Sequence, residues 1–360
     1  MKKIVTILGA RPQFVKAAVL SRIINKHAFF EEVIVHTGQH YDANMSAVFF
    51  KEMDIPHPKY NLNVNGVGHG AMTGQMLEKI EEVLLDEKPD LVVVYGDTNS
   101  TLAGALAAQK LQVKIVHIEA GLRSFNMQMP EEVNRILTDR IANLLLCPTD
   151  TALKNLSAEG YDQLPIKVDK CGDIMKDAVA YYSQFSQRKS SIISNLDLKN
   201  NDFVLATIHR QENTDSLEQL TAIFEGLSEI HLEKQVVMPL HPRTKRILEQ
   251  HGLEYPIRFI TPVGYFDMLE LLKNCAMVIT DSGGLQKEAF FNKKYCIVAR
   301  EQTEWVELVE NSFAKIVGAD AKKMKLAYQE LLAMKGDFSI DLFGNQVGEK
   351  IHEAIKMLIN

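Results

Sequence analysis

Residues 115–146 read IVHIEAGLRSFNMQMPEEVNRILTDRIANLLL. The apolar run at 115–118 has the length of a buried strand and stops on a carboxylate, Glu119. Pro130 suits the first turn of a helix, where its missing N–H would go unpaired anyway. From Val133 the apolar residues at 133, 136, 137, 141 and 144 recur at helical spacing and share one face. Glu131, Arg135 and Thr138 fall opposite, with Glu131 and Arg135 one turn apart. The expectation is a helix that buries its apolar side and holds a carboxylate and a guanidinium on the other. An isolated pair of this kind is a solvated surface pair. Glu119 at the end of the preceding strand argues instead that two carboxylates and an arginine share one cleft. Arg140 falls on the apolar face, where it snorkels or meets a partner.

The same strand–helix alternation extends both ways. Runs at 3–8, 32–36, 91–95, 144–147 and 166–171 read as strands, with helices near 43–53, 72–85 and 101–111. A Ser-, Lys- and Asn-rich stretch at 183–201 interrupts the pattern and reads as a linker region. Strands then resume at 203–208, 235–240, 257–260, 277–279 and 295–298. Such alternation is the mark of a parallel sheet covered on both faces. The expected fold class is α/β, with two Rossmann-like doubly wound parallel-sheet domains facing a central cleft. The first domain is 1–182, the linker region 183–201, the second domain 202–344, and a closing helix at 345–360 packs on either half.

The totals narrow the function classes. At 360 residues the chain exceeds what one core usually serves. A net charge of −6 argues against a nucleic-acid binder held by phosphate contacts. No apolar run approaches the ~20 residues that span a bilayer, and the N-terminal run is too short for a signal-peptide core. The four cysteines, Cys147, Cys171, Cys275 and Cys296, form no CxxC and lie in or beside apolar runs, as buried free thiols do. A cytoplasmic protein is the expectation, with no membrane and no nucleic-acid partner. No HExxH, paired CxxC or carboxylate–histidine cluster points to a metal.

Open parallel sheets bind ligands beyond the carboxyl ends of their strands. Here those ends carry Arg11, Gln39, Asp97, Glu119, Asp173, His209, His241, Asp281 and Arg300. Asp281-Ser282-Gly283-Gly284 before a helix at 285–291 is the best phosphate seat, because glycines admit the anion and the helix start offers free N–H groups. Glu288, one turn on, has the reach to accept hydrogen bonds from a ribose. A capped helix after a tight turn is the plainer alternative. Arg11 and Lys16 follow the first strand end, either facing the phosphates or as surface charges. Gly66-Val67-Gly68-His69-Gly70 lacks the spacing of a dinucleotide fingerprint and reads as a loop bordering the cleft. Histidines 36, 57, 69, 117, 231, 251 and 352 show no sequence partner and read as structural.

GARPQFVKAA, TGQHYD, YGDTNST, HIEAGLRS, MPEEVNRILTD, ATIHRQEN, PLHPRT, DSGGLQKEA and REQTEWVE resemble, in that order, the motifs of the non-hydrolysing UDP-N-acetylglucosamine 2-epimerases. The resemblance spans nearly the whole chain. It implies a glycosyltransferase-B-like pair of Rossmann-like halves and interconversion of UDP-N-acetylglucosamine and UDP-N-acetylmannosamine for surface polysaccharide precursors. No cofactor is implied, and a homodimer is usual. By motif position, Arg11 and Lys16 would meet the diphosphate. Asp97, Glu119 and Glu131 would be the acid–base carboxylates, with Arg135 beside them and His209 near the leaving diphosphate. Ser282 and Gly283, with Gly284, would hold the phosphates and Glu288 the ribose. Arg243 and Phe266 would border the nucleotide, and Arg300 ends a strand of the same half. Between Arg123 and Glu131 the chain reads SFNMQMP, where the better-known enzymes carry a longer loop with glycine, proline and aromatic residues. That form looks more like the branch acting on UDP-2,3-diacetamido-2,3-dideoxyglucuronic acid. Tyr41 stands where a basic residue is often seen, which speaks against regulation by a second UDP-sugar. The alternative reading is a glycosyltransferase-B-type enzyme passing the sugar from UDP to an acceptor.

Overall fold

The structure, a computed structural model, describes residues 1–39 and 55–360. Tyr41 and the helix expected at 43–53 lie outside the described residues. The chain divides into two compact units, 1–178 with 341–360, and 179–340.

Unit 1 is built on seven strands: β1 (Lys2–Leu8), β2 (Phe30–His36), β3 (Tyr60–Asn61), β4 (Leu91–Tyr95), β5 (Lys114–Ile118), β6 (Leu144–Cys147) and β7 (Lys167–Lys170). All pairings are parallel, in the order β3-β2-β1-β4-β5-β6-β7. β4, LVVVY, is apolar throughout and wholly buried, as a central strand covered on both faces must be. Its helices are α1 (Arg11–His27), α2 (His69–Glu87), α3 (Asn99–Lys110), α4 (Pro130–Ile141) and α5 (Asp150–Ala158), with α6 (Ile174–Lys189) starting in this unit. The strand order reverses direction between β1 and β4. There Gln13 ties the two loops together. Its Oε1 accepts from Gly9 N at 2.7 Å and Ala10 N at 3.0 Å, and its Nε2 donates to Tyr95 O at 2.7 Å. Gly9 is required at this point, because a Cβ there would overlap Ser100 Oγ on α3.

Unit 2 repeats the plan with α7 (Ile192–Asn195), β8 (Phe203–Thr207), α8 (Gln211–Thr214), α9 (Leu217–His231), β9 (Gln235–Pro239), α10 (Pro242–Gln250), β10 (Arg258–Ile260), α11 (Tyr265–Asn274), β11 (Met277–Thr280), α12 (Gly283–Phe291), β12 (Cys296–Val298), α13 (Val306–Glu310), β13 (Ala314–Ile316) and α14 (Ala321–Ala333). Its sheet is parallel, in the order β10-β9-β8-β11-β12-β13, with the reversal between β8 and β11.

Two expectations change. The stretch 183–201 is largely helical and packed, not a bare connection: α6 continues to Lys189, α7 follows, and the unit boundary falls inside α6. Two of its serines, Ser186 and Ser190, read as linker composition but bond to α11. Ser186 Oγ donates to Glu270 Oε1 at 2.6 Å, and Lys273 Nζ donates to Ser186 Oγ at 2.7 Å. Secondly, α4 is inverted. Its buried residues are Glu132, Asn134, Arg135, Thr138 and Asp139, while Leu137 is 46% exposed and Val133, Ile136 and Ile141 are half-buried. The polar stripe faces inward because buried charged partners await it there, which outweighs the loss of apolar burial. Arg140 is exposed, with its guanidinium over the Tyr161 ring at 5.9 Å. The closing helix, α15 (Val347–Ile359), belongs to unit 1. It approaches α1 closely at Gly348, where a Cβ would sit 2.5 Å from Ile23 and 2.9 Å from Val19.

Candidate active site

In unit 1 the groups gather at the carboxyl ends of β4 and β5. β4 ends in Gly96, whose φ of +62° suits glycine, and delivers Asp97. β5 delivers Glu119, which carries a side chain at φ +71°. That left-handed conformation is unfavourable for a residue with a Cβ, and such strain concentrates at functional sites. Glu119 N and Ala120 N both donate to Leu146 O at 3.1 Å, which holds the turn. The Glu119 carboxylate is ion-paired with Lys16 of α1, both side chains being largely buried. It also lies against Gly96, where an added Cβ would come 3.3 Å from Glu119 Oε2.

Asp97 is ion-paired with Arg135, and its carbonyl accepts from Asn134 Nδ2 at 3.0 Å. Arg135 also donates to Glu132 Oε2 at 2.7 Å. Glu132 further accepts from Ser124 N and Oγ, both at 2.9 Å, and from Phe125 N at 2.8 Å. Arg135 therefore pairs with Asp97 and Glu132, not with Glu131 one turn before it as its spacing suggested. Glu131 is half-buried in the first turn of α4 and makes no side-chain hydrogen bond or ion pair among the described residues. It is the carboxylate left available at the start of α4.

Behind these groups lies a buried chain that the apolar periodicity concealed. Asp139 accepts from Arg123 Nη1 at 2.8 Å and Gly121 N at 3.2 Å, and faces His117 Nδ1 at 2.7 Å. Arg123 is bidentate to Glu159 at 2.7 and 2.8 Å. Burial pushes the Asp139 carboxyl up, but His117 and Arg123 outweigh it and hold it below the usual carboxylate range. Arg11 opens α1 and is half-buried.

In unit 2 the corresponding place is between β8 and β11. Asp281 Oδ2 accepts from His209 N and Arg210 N at 2.8 Å and from Asn213 Nδ2 at 3.1 Å. His209 Nδ1 stands 3.2 Å from Asp281 Oδ1, and its ring centroid is 5.5 Å from that of His241. Ser282 is the N-cap of α12, which opens on Gly283 and Gly284. A Cβ on Gly283 would meet Glu304 at 3.5 Å, Trp305 at 3.6 Å and Arg210 at 3.9 Å, whereas at Gly284 it would meet nothing within 4 Å. The helix start therefore presents backbone N–H groups beside Arg210, an arrangement able to hold a phosphate. Glu288 is buried on the same helix, near enough to Tyr265 to add to the upward push of burial on that phenol.

Arg300 is buried and bidentate to Glu304, at 3.0 Å for each bond. Arg243 donates from Nε to Thr214 Oγ1 at 2.7 Å and is ion-paired with Asp215. Phe266 is a core residue, 3% exposed, with its centroid 5.9 Å from Tyr182 and Lys189 Nζ 4.7 Å above its ring. Lys287, unmarked by sequence reasoning, is buried with Nζ 3.8 Å over the Trp305 ring. Among the described residues no group of three or more His, Cys, Asp or Glu could hold a metal ion. All four cysteines are free and buried.

The UDP-N-acetylglucosamine 2-epimerase family matches residues 22–356. The chain is 54% identical, over 88% of each chain, to the UDP-2,3-diacetamido-2,3-dideoxy-D-glucuronate 2-epimerase of Pseudomonas aeruginosa. It is 41% identical, over 97% of each chain, to the UDP-N-acetylglucosamine 2-epimerase of Methanocaldococcus jannaschii. The crystal structure of that archaeal enzyme in complex with UDP-GlcNAc and UDP matches with a TM-score of 0.92, covering 99% of this chain and 100% of that one.

Proposed function

Since the chain belongs to the UDP-N-acetylglucosamine 2-epimerase family and is an epimerase of UDP-2-acetamido sugars, we propose that its own substrate is UDP-2,3-diacetamido-2,3-dideoxyglucuronate. The two units are those of a glycosyltransferase-B-like fold. The choice of sugar is supported by the 54% identical relative and by the short SFNMQMP loop between Arg123 and Glu131.

The chemistry demands particular groups. The proton on C2 is not next to a carbonyl, so direct abstraction is too costly. Breaking the bond from C1 to the diphosphate makes C1 cationic and the C2 proton acidic. UDP leaves, a glycal forms, and UDP re-adds with the proton delivered to the other face. Acid–base groups must serve both faces of C2. Asp97, Glu119 and Glu131 meet that demand, with Arg135 paired to Asp97 and Lys16 paired to Glu119. Donors must meet the charge growing on the diphosphate. In unit 2 the N–H groups at Gly283 and Gly284, Arg210 and His209 are suited to it, and Glu288 to the ribose; in unit 1 the cation of this kind is Arg11.

The single observation that carries this reading is Glu119, held at φ +71° with its carboxylate against Gly96 and paired with buried Lys16. Incubation in D2O with each UDP-sugar and no acceptor tests it. Deuterium at C2, faster with the diacetamido uronate, is the expected outcome. Faster exchange with UDP-N-acetylglucosamine reverses the sugar assignment, and no exchange with either defeats the mechanism. Sugar transfer to an added acceptor would instead establish the transferase reading.

The working form in this reading is a cytoplasmic homodimer. Among the described residues no helix is long and apolar enough to cross a membrane. The outward apolar stripe of α4, with Phe125 77% and Met127 62% exposed beside it in the chain, supports self-association. Sedimentation of the wild type as a dimer and of Leu137→Glu as a monomer is expected. A monomeric wild type removes the claim.

A further inference from the structure

His117 is fully buried in β5, two residues before Glu119. Its Nε2 faces Gly96 O at 2.6 Å, and Gly96 is the residue before Asp97. Its Nδ1 faces Asp139 Oδ1 at 2.7 Å. A carbonyl oxygen only accepts, so Nε2 carries hydrogen. Asp139 is already an acceptor for Arg123 and Gly121, and as a carboxylate it too accepts from the ring. Both ring nitrogens therefore face acceptors, a demand that only a ring carrying hydrogen on both, an imidazolium, meets in full. Its charge is matched in place: Asp139 lies between His117 and Arg123, and Arg123 is bidentate to Glu159, so two cations meet two carboxylates. Such complete pairing is what lets charge persist in a buried site. Cys147 and Tyr161 complete the ionisable groups near Asp139, and burial and that carboxylate both push them up, away from ionisation.

We propose that His117 is a positioning residue for the epimerase reaction, donating from both ring nitrogens. One ring clamps the backbone carrying Asp97 to the strand carrying Glu119 and sets the separation of the two carboxylates. The proposal rests on reading Asp97 and Glu119 as acid–base groups. Neutral imidazole would leave one of its two acceptors, Gly96 O or Asp139 Oδ1, without a proton and loosen that side of the clamp. Displacement of a catalytic group by about 1 Å costs on the order of a hundredfold in rate.

Nitrogen-15 imidazole spectra of the whole wild-type protein test the charge directly. Both His117 nitrogens should appear protonated in the folded protein. One bare nitrogen in the folded protein would overturn the proposal. For function, His117→Gln and Asp139→Asn should each lower kcat about tenfold to a hundredfold with KM changed by about twofold or less. Unaltered kcat in the folded fraction, whatever the fall in Tm, would make the ring merely structural and sink the idea. If the variants do not fold, the wild-type spectrum still decides. Full activity in Asp97→Asn would defeat the carboxylate reading alone and leave the spectrum unchanged.

Discussion

Two places in this chain share one topology and differ in what they present. In unit 1 the sheet reverses between β1 and β4, and in unit 2 between β8 and β11. Both put loops at the carboxyl ends of parallel strands, where open sheets bind ligands. Unit 1 presents charged side chains: Lys16 with Glu119, Arg135 with Asp97 and Glu132, and Glu131 without a partner among the described residues. Unit 2 presents backbone. Its buried charges turn inward, with Asp281 holding the His209–Asn213 segment and Glu304 holding Arg300, which leaves the N–H groups of the α12 start facing out. The scaffold chooses the place and the local residues choose the work. A site made of side chains should fail at single substitutions, whereas one made of backbone should fail mainly where a glycine is lost.

The sharpest break of that comparison is Glu119→Gln. Removing an acid–base carboxylate and the charge that pairs Lys16 should lower kcat by about a thousandfold, with UDP affinity unchanged by titration calorimetry. A loss within tenfold would move the chemistry elsewhere. Glu131→Gln follows, with turnover down about a hundredfold or more. Its partnerless state means nothing else in unit 1 should shift, so an unchanged Tm beside the lost turnover is part of the expected result. In unit 2, Gly283→Ala adds a methyl at ordinary contact distance from Glu304 and Trp305. The fold should tolerate it, but the anion's approach narrows, and UDP binding should weaken about tenfold, near 1.4 kcal/mol. Unchanged binding would show that the phosphates do not sit on this helix start.

Much of this was legible from sequence because the signals were local. Continuous apolar strands and glycine-bearing strand ends placed Asp97, Glu119, His209 and Asp281 at the carboxyl ends of their strands. What escaped was partnership. α4 carries a good apolar stripe, and hydrophobic periodicity alone buries that stripe. The structure buries the opposite one because Glu132, Arg135 and Asp139 each find partners on loops or strands some 8 to 38 residues away. Neither spacing nor composition encodes such pairings. For the same reason Arg135 looked like the partner of Glu131, and His117 showed no partner in sequence though it has two in the fold. Phe266, which motif position brings to the nucleotide's border, packs among aromatic neighbours that neither spacing nor composition announces.

The smallest expected effect tests the inward-turned charge of unit 2. Burial raises the Asp281 carboxyl, but the His209 ring and the N–H groups of His209 and Arg210 bring it below the ordinary carboxylate value. A folded-state value below the unfolded one means that its stabilisation is fully present above about pH 4 and is lost as pH falls through the folded value. Asp281→Asn keeps an oxygen for the three N–H donors now on Oδ2 and gives up only the charge. Hydrogen bonds to a charged acceptor exceed those to a neutral one by about 1 kcal/mol, so the variant should be less stable by about that amount at neutral pH. In urea unfolding the gap should close as pH drops below about 4, because the wild type then loses the same charge. A gap independent of pH would mean that Asp281 holds its loop by shape alone. The contrast between the two reversal points would then reduce to whether buried charge serves catalysis in one and nothing but packing in the other.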